Sequence, residues 1–212
     1  MPAAQPIRDL SFPAVMCAAG NGEHWALTEL FRAYQPPLLR YLRAQEPGMA
    51  DDLAGEVWVA VAQQLARFEG DEAGFRGWLF TIGRCRLIEH RRRNARRRTD
   101  PMPHERLDGA VEHGFGGDPS WLVLDQLAAQ EAIDMLVADL TPEQAEAVLL
   151  RVVGGFAVPE VAQIMERSPG AVRVMCHRAL RRLATRFADA APEGHEAREA
   201  GEAAETQGVL AE

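Results

Sequence analysis

Apolar residues recur at helical spacing along most of this chain. Leu27, Leu30, Phe31, Tyr34, Leu38, Leu39 and Leu42 form a first amphipathic series, the i, i+3, i+4, i+7 stripe of a helix that buries one face. Pro36 and Pro37 interrupt it. A proline inside a helix removes a hydrogen bond and crowds the preceding turn, so the pattern predicts two helices or a sharp kink. A second series, Leu53, Val57, Ala60, Val61, Leu65 and Phe68, sets one face of a helix over 50–68. Asp52, Glu56 and Gln63 fall on the other face. After the glycine-punctuated loop Gly70-Asp71-Glu72-Ala73-Gly74, a third series places Phe75, Trp78, Leu79 and Ile82 in register and runs into an arginine cluster. That shared register predicts a core position for Phe75 and Trp78.

The pattern fails at both ends and in the middle. Residues 1–20 carry Pro2, Pro6 and Pro13 without a sustained period and read as an irregular leader. The stretch TDPMPHERLDGAVEHGFGGDPS, residues 99–120, is dense in Pro, Gly, Asp and His and has the composition of a flexible linker. Order is expected to return at Trp121, with Leu124, Leu127, Ile133, Leu136, Val137 and Leu140 on one helix. Residues 188–212 are rich in Ala, Glu and Gly and nearly lack large apolar groups. They cannot bury enough surface to offset the entropy of ordering, so an acidic disordered tail is expected. The resulting expectation is an all-α chain of two small helical domains, 21–98 and 121–187, joined by a flexible linker.

The second of these domains begins its main helix at Thr141-Pro142-Glu143-Gln144, where Thr141 can cap, Pro142 suits the first helical position and Gln144 completes a capping box. This helix should stop at Gly154-Gly155. Two short helices follow, Val158 to Glu166 and Pro169 to about Phe187, separated by Arg167-Ser168. Their spacing is that of a helix-turn-helix: Ala162 is small enough to let the second helix cross the first, and Ser168 and Pro169 fix the turn. Within the second helix, Val172, Cys176, Ala179 and Leu183 share the core face. Arg173, Val174, His177, Arg178 and Arg181 then point outward, a set able to reach base edges and phosphates in a major groove. An ordinary solvated arginine-rich helix has the same pattern.

Composition qualifies this picture. The formal net charge is -8 over 212 residues, the wrong sign for a phosphate-binding surface. Distribution outweighs the sum, because the arginines concentrate at Arg84–Arg98 and Arg167–Arg186 and local fields follow local charge. The chain has no lysine. Cys17, Cys85 and Cys176 are scattered, without CxxC spacing or a histidine cluster, so no metal site and no disulfide framework is expected. No apolar run approaches the length of a membrane span, and no signal segment opens the chain, which points to a cytoplasmic protein. No phosphate-cradling glycine loop, zinc spacing or nucleophile–base motif marks a catalytic residue, a cofactor or a small-molecule substrate.

The segment LTPEQAEAVLLRVVGGFAVPEVAQIMERSPGAVRVMCHRALRRL resembles the promoter-binding C-terminal region of the extracytoplasmic-function (ECF) group of bacterial RNA polymerase sigma factors. The likeness lies in Leu140 to Pro142, Gly155, Glu160 with Ala162, Ser168 to Arg173, and His177-Arg178-Ala179. FRAYQPPLLRYL, DDLAGEVWVAVAQQLARF, GFRGWLFTIGRCRLIEH and RRRNARRR resemble the N-terminal region of the same group. The resemblance implies that the chain binds core RNA polymerase and a two-part promoter and carries out no catalysis. The first domain would then take the polymerase through Asp52 and Glu56, a charged helix face that orients docking. It would take the minus-ten element through Arg76 and, along the backbone, Arg84, Arg86, Arg91 and Arg93. The outward face of the last helix would read the minus-thirty-five element. An anti-sigma protein is a usual partner of such chains.

Departures from the group's pattern are Gly55 in place of a common glutamine, Ala157 in place of a hydroxyl cap, and Val174 and Met175 in place of a frequent serine and arginine. The rival reading is a stand-alone helix-turn-helix regulator binding operator DNA, which leaves the N-terminal blocks unexplained. The tail, with glutamates at 193, 196, 199, 202 and 205, is either a competitor of DNA for Arg178 and Arg181 or an inert solubilising extension.

Overall fold

The computed structural model describes residues 11–99 and 130–190, with side chains through 96 and 186. The expected linker, the start of the second domain and the acidic tail beyond residue 190 fall outside the described residues. Those described form eight α-helices and no strand: α1 Phe12–Gly20, α2 His24–Arg43, α3 Ala50–Gln64, α4 Glu72–Thr99, α5 over 130–137, α6 Pro142–Val152, α7 Val158–Met165 and α8 Pro169–Ala190. The all-α expectation is met.

Two local expectations were wrong. The leader, read as irregular through residue 20, is helical from Phe12, because Pro13 sits in the first turn, where its missing N–H costs nothing. Phe12, Val15, Ala18 and Ala19 are buried there, a stripe too short to stand out in the sequence. Pro36 and Pro37, expected to give two helices or a sharp kink, both lie inside one element, α2, so the two-helix alternative fails. Leu30, Tyr34, Leu38, Tyr41 and Leu42 are each at most 1% exposed on its inner face. Burying such side chains is worth about 1.5–3 kcal/mol apiece, enough to hold the helix together across the missing hydrogen bonds.

Helices α1 to α4 enclose an aromatic core around Phe75, whose ring lies 5.1 Å from Tyr34, 5.6 Å from Phe68 and 5.9 Å from Phe12 and Trp78. Phe75 is fully buried and Trp78 is half-buried against it, as their register required. Asp71 caps α4 by accepting the Gly74 N–H at 2.8 Å, so the helix starts inside the glycine-rich loop.

In the second half, the Thr141 capping box forms in both directions, Gln144 N to Thr141 Oγ1 at 3.4 Å and Thr141 N to Gln144 Oε1 at 3.3 Å. Gly155, at φ 69°, ends the α6 turn in the left-handed region that glycine adopts freely. Ala157 supplies no side-chain cap to α7; Glu160 provides the remaining half of that box, accepting the Ala157 N–H at 2.6 Å. The turn between α7 and α8 passes through Glu166 at φ 55°, and Ser168 Oγ accepts the Ala171 N–H at 3.2 Å to open α8.

The halves do not stand apart. One buried cluster runs from Phe12 to Val172, joined where Phe80 of α4 meets Phe156 of the α6–α7 turn edge-to-face at 5.1 Å.

Candidate nucleic-acid interface

Helices α7 and α8 form the helix-turn-helix anticipated from the spacing. Ala162 is buried at the crossing, and Val172, Ala179 and Leu183 are buried on the inner face of α8. Cys176 is half-buried beside them, and burial raises its thiol above the usual range, so it is a packing group rather than a nucleophile. Arg173, Val174, His177, Arg178 and Arg181 are all exposed. No described carboxylate pairs with the three arginines, so their guanidiniums face solvent along one side of the helix. Val174, 48% exposed, and Leu180, 62% exposed, add apolar surface to this otherwise basic helix.

The arginines of α4 are in a different state. Each of the five singled out from sequence has an intramolecular partner. Arg86 pairs with Glu89 at 2.9 Å, and Arg93 approaches Glu56 at 3.9 Å. Arg91 donates to the Gln45 carbonyl at 3.0 Å and lies 3.6 Å from Glu46. These pairs are largely exposed and worth little. Arg84 and Arg76 are held by the second half of the chain. Arg84 Nε donates to Glu146 Oε1 at 2.9 Å, with both side chains mostly buried, and Arg76 lies over the Phe156 ring at 4.9 Å. Arg92, on the same stretch, is exposed.

The acidic face expected on α3 is exposed as a stripe. Asp52, Glu56 and Gln63 are exposed, and Val59 stands among them 58% exposed. Sequence reasoning missed Val59 because it lies within the apolar run 57–62, although its spacing from Asp52, Glu56 and Gln63 puts it on their outward face. It also missed Glu146 and Phe156, whose partners lie far away in the chain. Among the described residues no group of three or more His, Cys, Asp or Glu side chains converges to hold a metal ion, and no helix is long and apolar enough to cross a membrane.

Family models match both halves. Sigma-70 region 2 covers residues 30–97, which hold α3 and α4, and Sigma-70 region 4 covers residues 130–183, which hold the helix-turn-helix. The fold is therefore the two-region sigma-70 arrangement. The ECF RNA polymerase sigma factor ShbA of Streptomyces griseus is 32% identical over 178 residues, covering 80% of this chain and 92% of that protein. The chain belongs to the ECF RNA polymerase sigma factors. The ECF RNA polymerase sigma factor BldN of Streptomyces coelicolor is 31% identical over 174 residues, 81% of this chain, and the match spans 64% of that longer protein. A solved structure of CnrH in complex with the cytosolic domain of CnrY shares the fold, with a TM-score of 0.56 at 21% identity over 84% of this chain and 97% of that one.

Proposed function

We propose that this chain is a cytoplasmic sigma subunit that binds core RNA polymerase, recognises a two-part promoter and helps open the DNA without catalysing any bond change. The observation that carries the reading is the exposed arginine face of α8, unpaired among the described residues, on a helix-turn-helix in a chain that also has region 2. A stand-alone operator reader leaves region 2 without a role. Residues 21–98 serve as the polymerase and minus-ten domain and residues 121–187 as the minus-thirty-five domain. Arg173, Val174, His177, Arg178 and Arg181 enter the major groove of the minus-thirty-five element. Arg76, Arg84, Arg86, Arg91 and Arg93 lie along the minus-ten region. An anti-sigma partner rests on family membership alone.

The α3 stripe docks on the polymerase: Asp52 and Glu56 set orientation and association rate, and Val59 is the apolar anchor that such a charged rim surrounds. Affinity of the full chain for purified core polymerase tests this. Asp52→Arg with Glu56→Arg should weaken binding at least about tenfold, roughly 1.4 kcal/mol. Val59→Ser should weaken it severalfold, with helical content unchanged in both variants. Unaltered affinity in both would remove α3 from the docking surface.

A further inference from the structure

We infer that Val174 of α8 reads a thymine in the minus-thirty-five element by seating its methyl groups against the 5-methyl of that base. The inference rests on the promoter-binding reading above and deepens it, from the face that enters the groove to a base that this face selects.

Val174 is 48% exposed and takes no part in the buried cluster. It sits in the second turn of α8, nearer the start of the helix than His177, Arg178 or Arg181. The leading turns of a recognition helix are the ones that reach base edges. At about 100° per residue, those three polar side chains surround it within about 60°. Leu180, the other large apolar residue exposed on α8, is turned about 120° away. Met175 packs on the core. Among the described residues, Val174 is therefore the one large apolar group on the reading face. A helical side chain leans over the turn before its own Cα, and for Val174 that turn holds Gly170, which is exposed. Beyond its chain neighbours and the helix backbone, the nearest atom to a Cβ placed on Gly170 would be Ser168 Oγ at 4.0 Å. The valine methyls thus border a shallow notch that a base edge can enter. Branching at Cβ leaves valine essentially one χ1 in a helix, so little entropy is lost when those methyls are pinned.

The polar groups of the face narrow what it can read. From Pro169 to Ala184, α8 has no Asn, Gln, Asp, Glu, Ser or Thr. Bidentate reading of adenine needs a side-chain amide, and the cytosine amino group is read by a carboxylate or hydroxyl. Neither mode is open to this helix. Its donors, Arg173, His177 and Arg178, find acceptors on guanine O6 and N7 and on thymine O4 alike. The 5-methyl is what separates thymine from guanine in the major groove, and only an apolar side chain registers it. Val174 supplies that side chain at the centre of the donor set.

The test deletes the methyl alone. Holoenzyme assembled from core polymerase and the full chain first selects its tightest duplexes from a pool randomised over both promoter elements. Each thymine of the selected minus-thirty-five element, on either strand, is then replaced by deoxyuridine. One such replacement should weaken binding about fourfold, the worth of one buried methyl group. Val174→Ala should bring that thymine-to-uracil ratio to about one, whereas Leu180→Ala should leave it at about fourfold. The ratio is taken within each variant, so a general loss of affinity or of folded protein cancels. A selected element in which no thymine methyl matters, or a methyl effect that survives Val174→Ala, would overturn the inference and leave the sigma reading standing. Selection of no element at all would overturn the sigma reading, and this inference with it.

Discussion

Gly154 shows how closely the second half is fitted. A Cβ there would sit 2.5 Å from the Phe156 ring and 2.7 Å from the Leu150 carbonyl oxygen, so neither neighbour leaves room for a methyl group. Gly154→Ala should destabilise the chain by about 1–3 kcal/mol, read as a lower midpoint in urea, because Phe156 must leave its slot between the halves. The chain's two tyrosines report burial in another way. Burial, and next the charge of Glu72, raises the Tyr34 hydroxyl above its usual range; burial, and next Glu146, does the same for Tyr41. A phenol whose folded pKa lies above its unfolded value of about 10 favours the fold below that pH and loses this contribution as the pH rises through the folded value. Tyrosinate absorbance should therefore be nearly absent from the native protein at about pH 10.5, just above that unfolded value, and appear together with unfolding. Tyrosinate forming near pH 10 while helicity is intact would contradict the burial of both rings. Residues such as Glu146 were invisible in the sequence, since a polar position on a helix reads as solvated unless its partner is known.

At the scale of elements, what was legible depended on whether the signal was local. The Thr141 capping box, the glycine stop of α6 and the Ser168-Pro169 start of α8 are made within a few residues, and the structure has all three. The unbroken α2 was not legible, because packing of Tyr34, Leu38 and Tyr41 overrides a local rule about proline. Helix α1 was missed because a nine-residue segment holds too little period to be recognised. For α8, the exposed face gives a direct expectation. Arg173→Ala and Arg178→Ala should each weaken holoenzyme binding to promoter duplex and lower the slope of log affinity against log salt by up to about one for each phosphate no longer neutralised. Arg182, which approaches Gln144 at 3.5 Å on the α6 side, should have a smaller effect when changed to Ala. Equal effects at all three positions would mean that charge, rather than a defined face, drives binding.

For the whole molecule, the order of two helical domains and a promoter-reading helix-turn-helix could be read from periodicity, turn residues and family resemblance. The packing of one half on the other could not. Phe80 and Phe156, like Arg84 and Glu146, lie far apart in the chain, and no periodicity links them. The net charge of -8 also becomes intelligible at this scale. Acidic groups offset the α4 arginines within the fold while the outward arginines of α8 keep a basic face. Run-off transcription from genomic promoter fragments, with purified core polymerase and the full chain, tests the sigma role most directly. Discrete transcripts that require the added chain, and that diminish when Arg173 and Arg178 are both changed to alanine, are the expected result; transcripts identical with and without the chain would contradict that role.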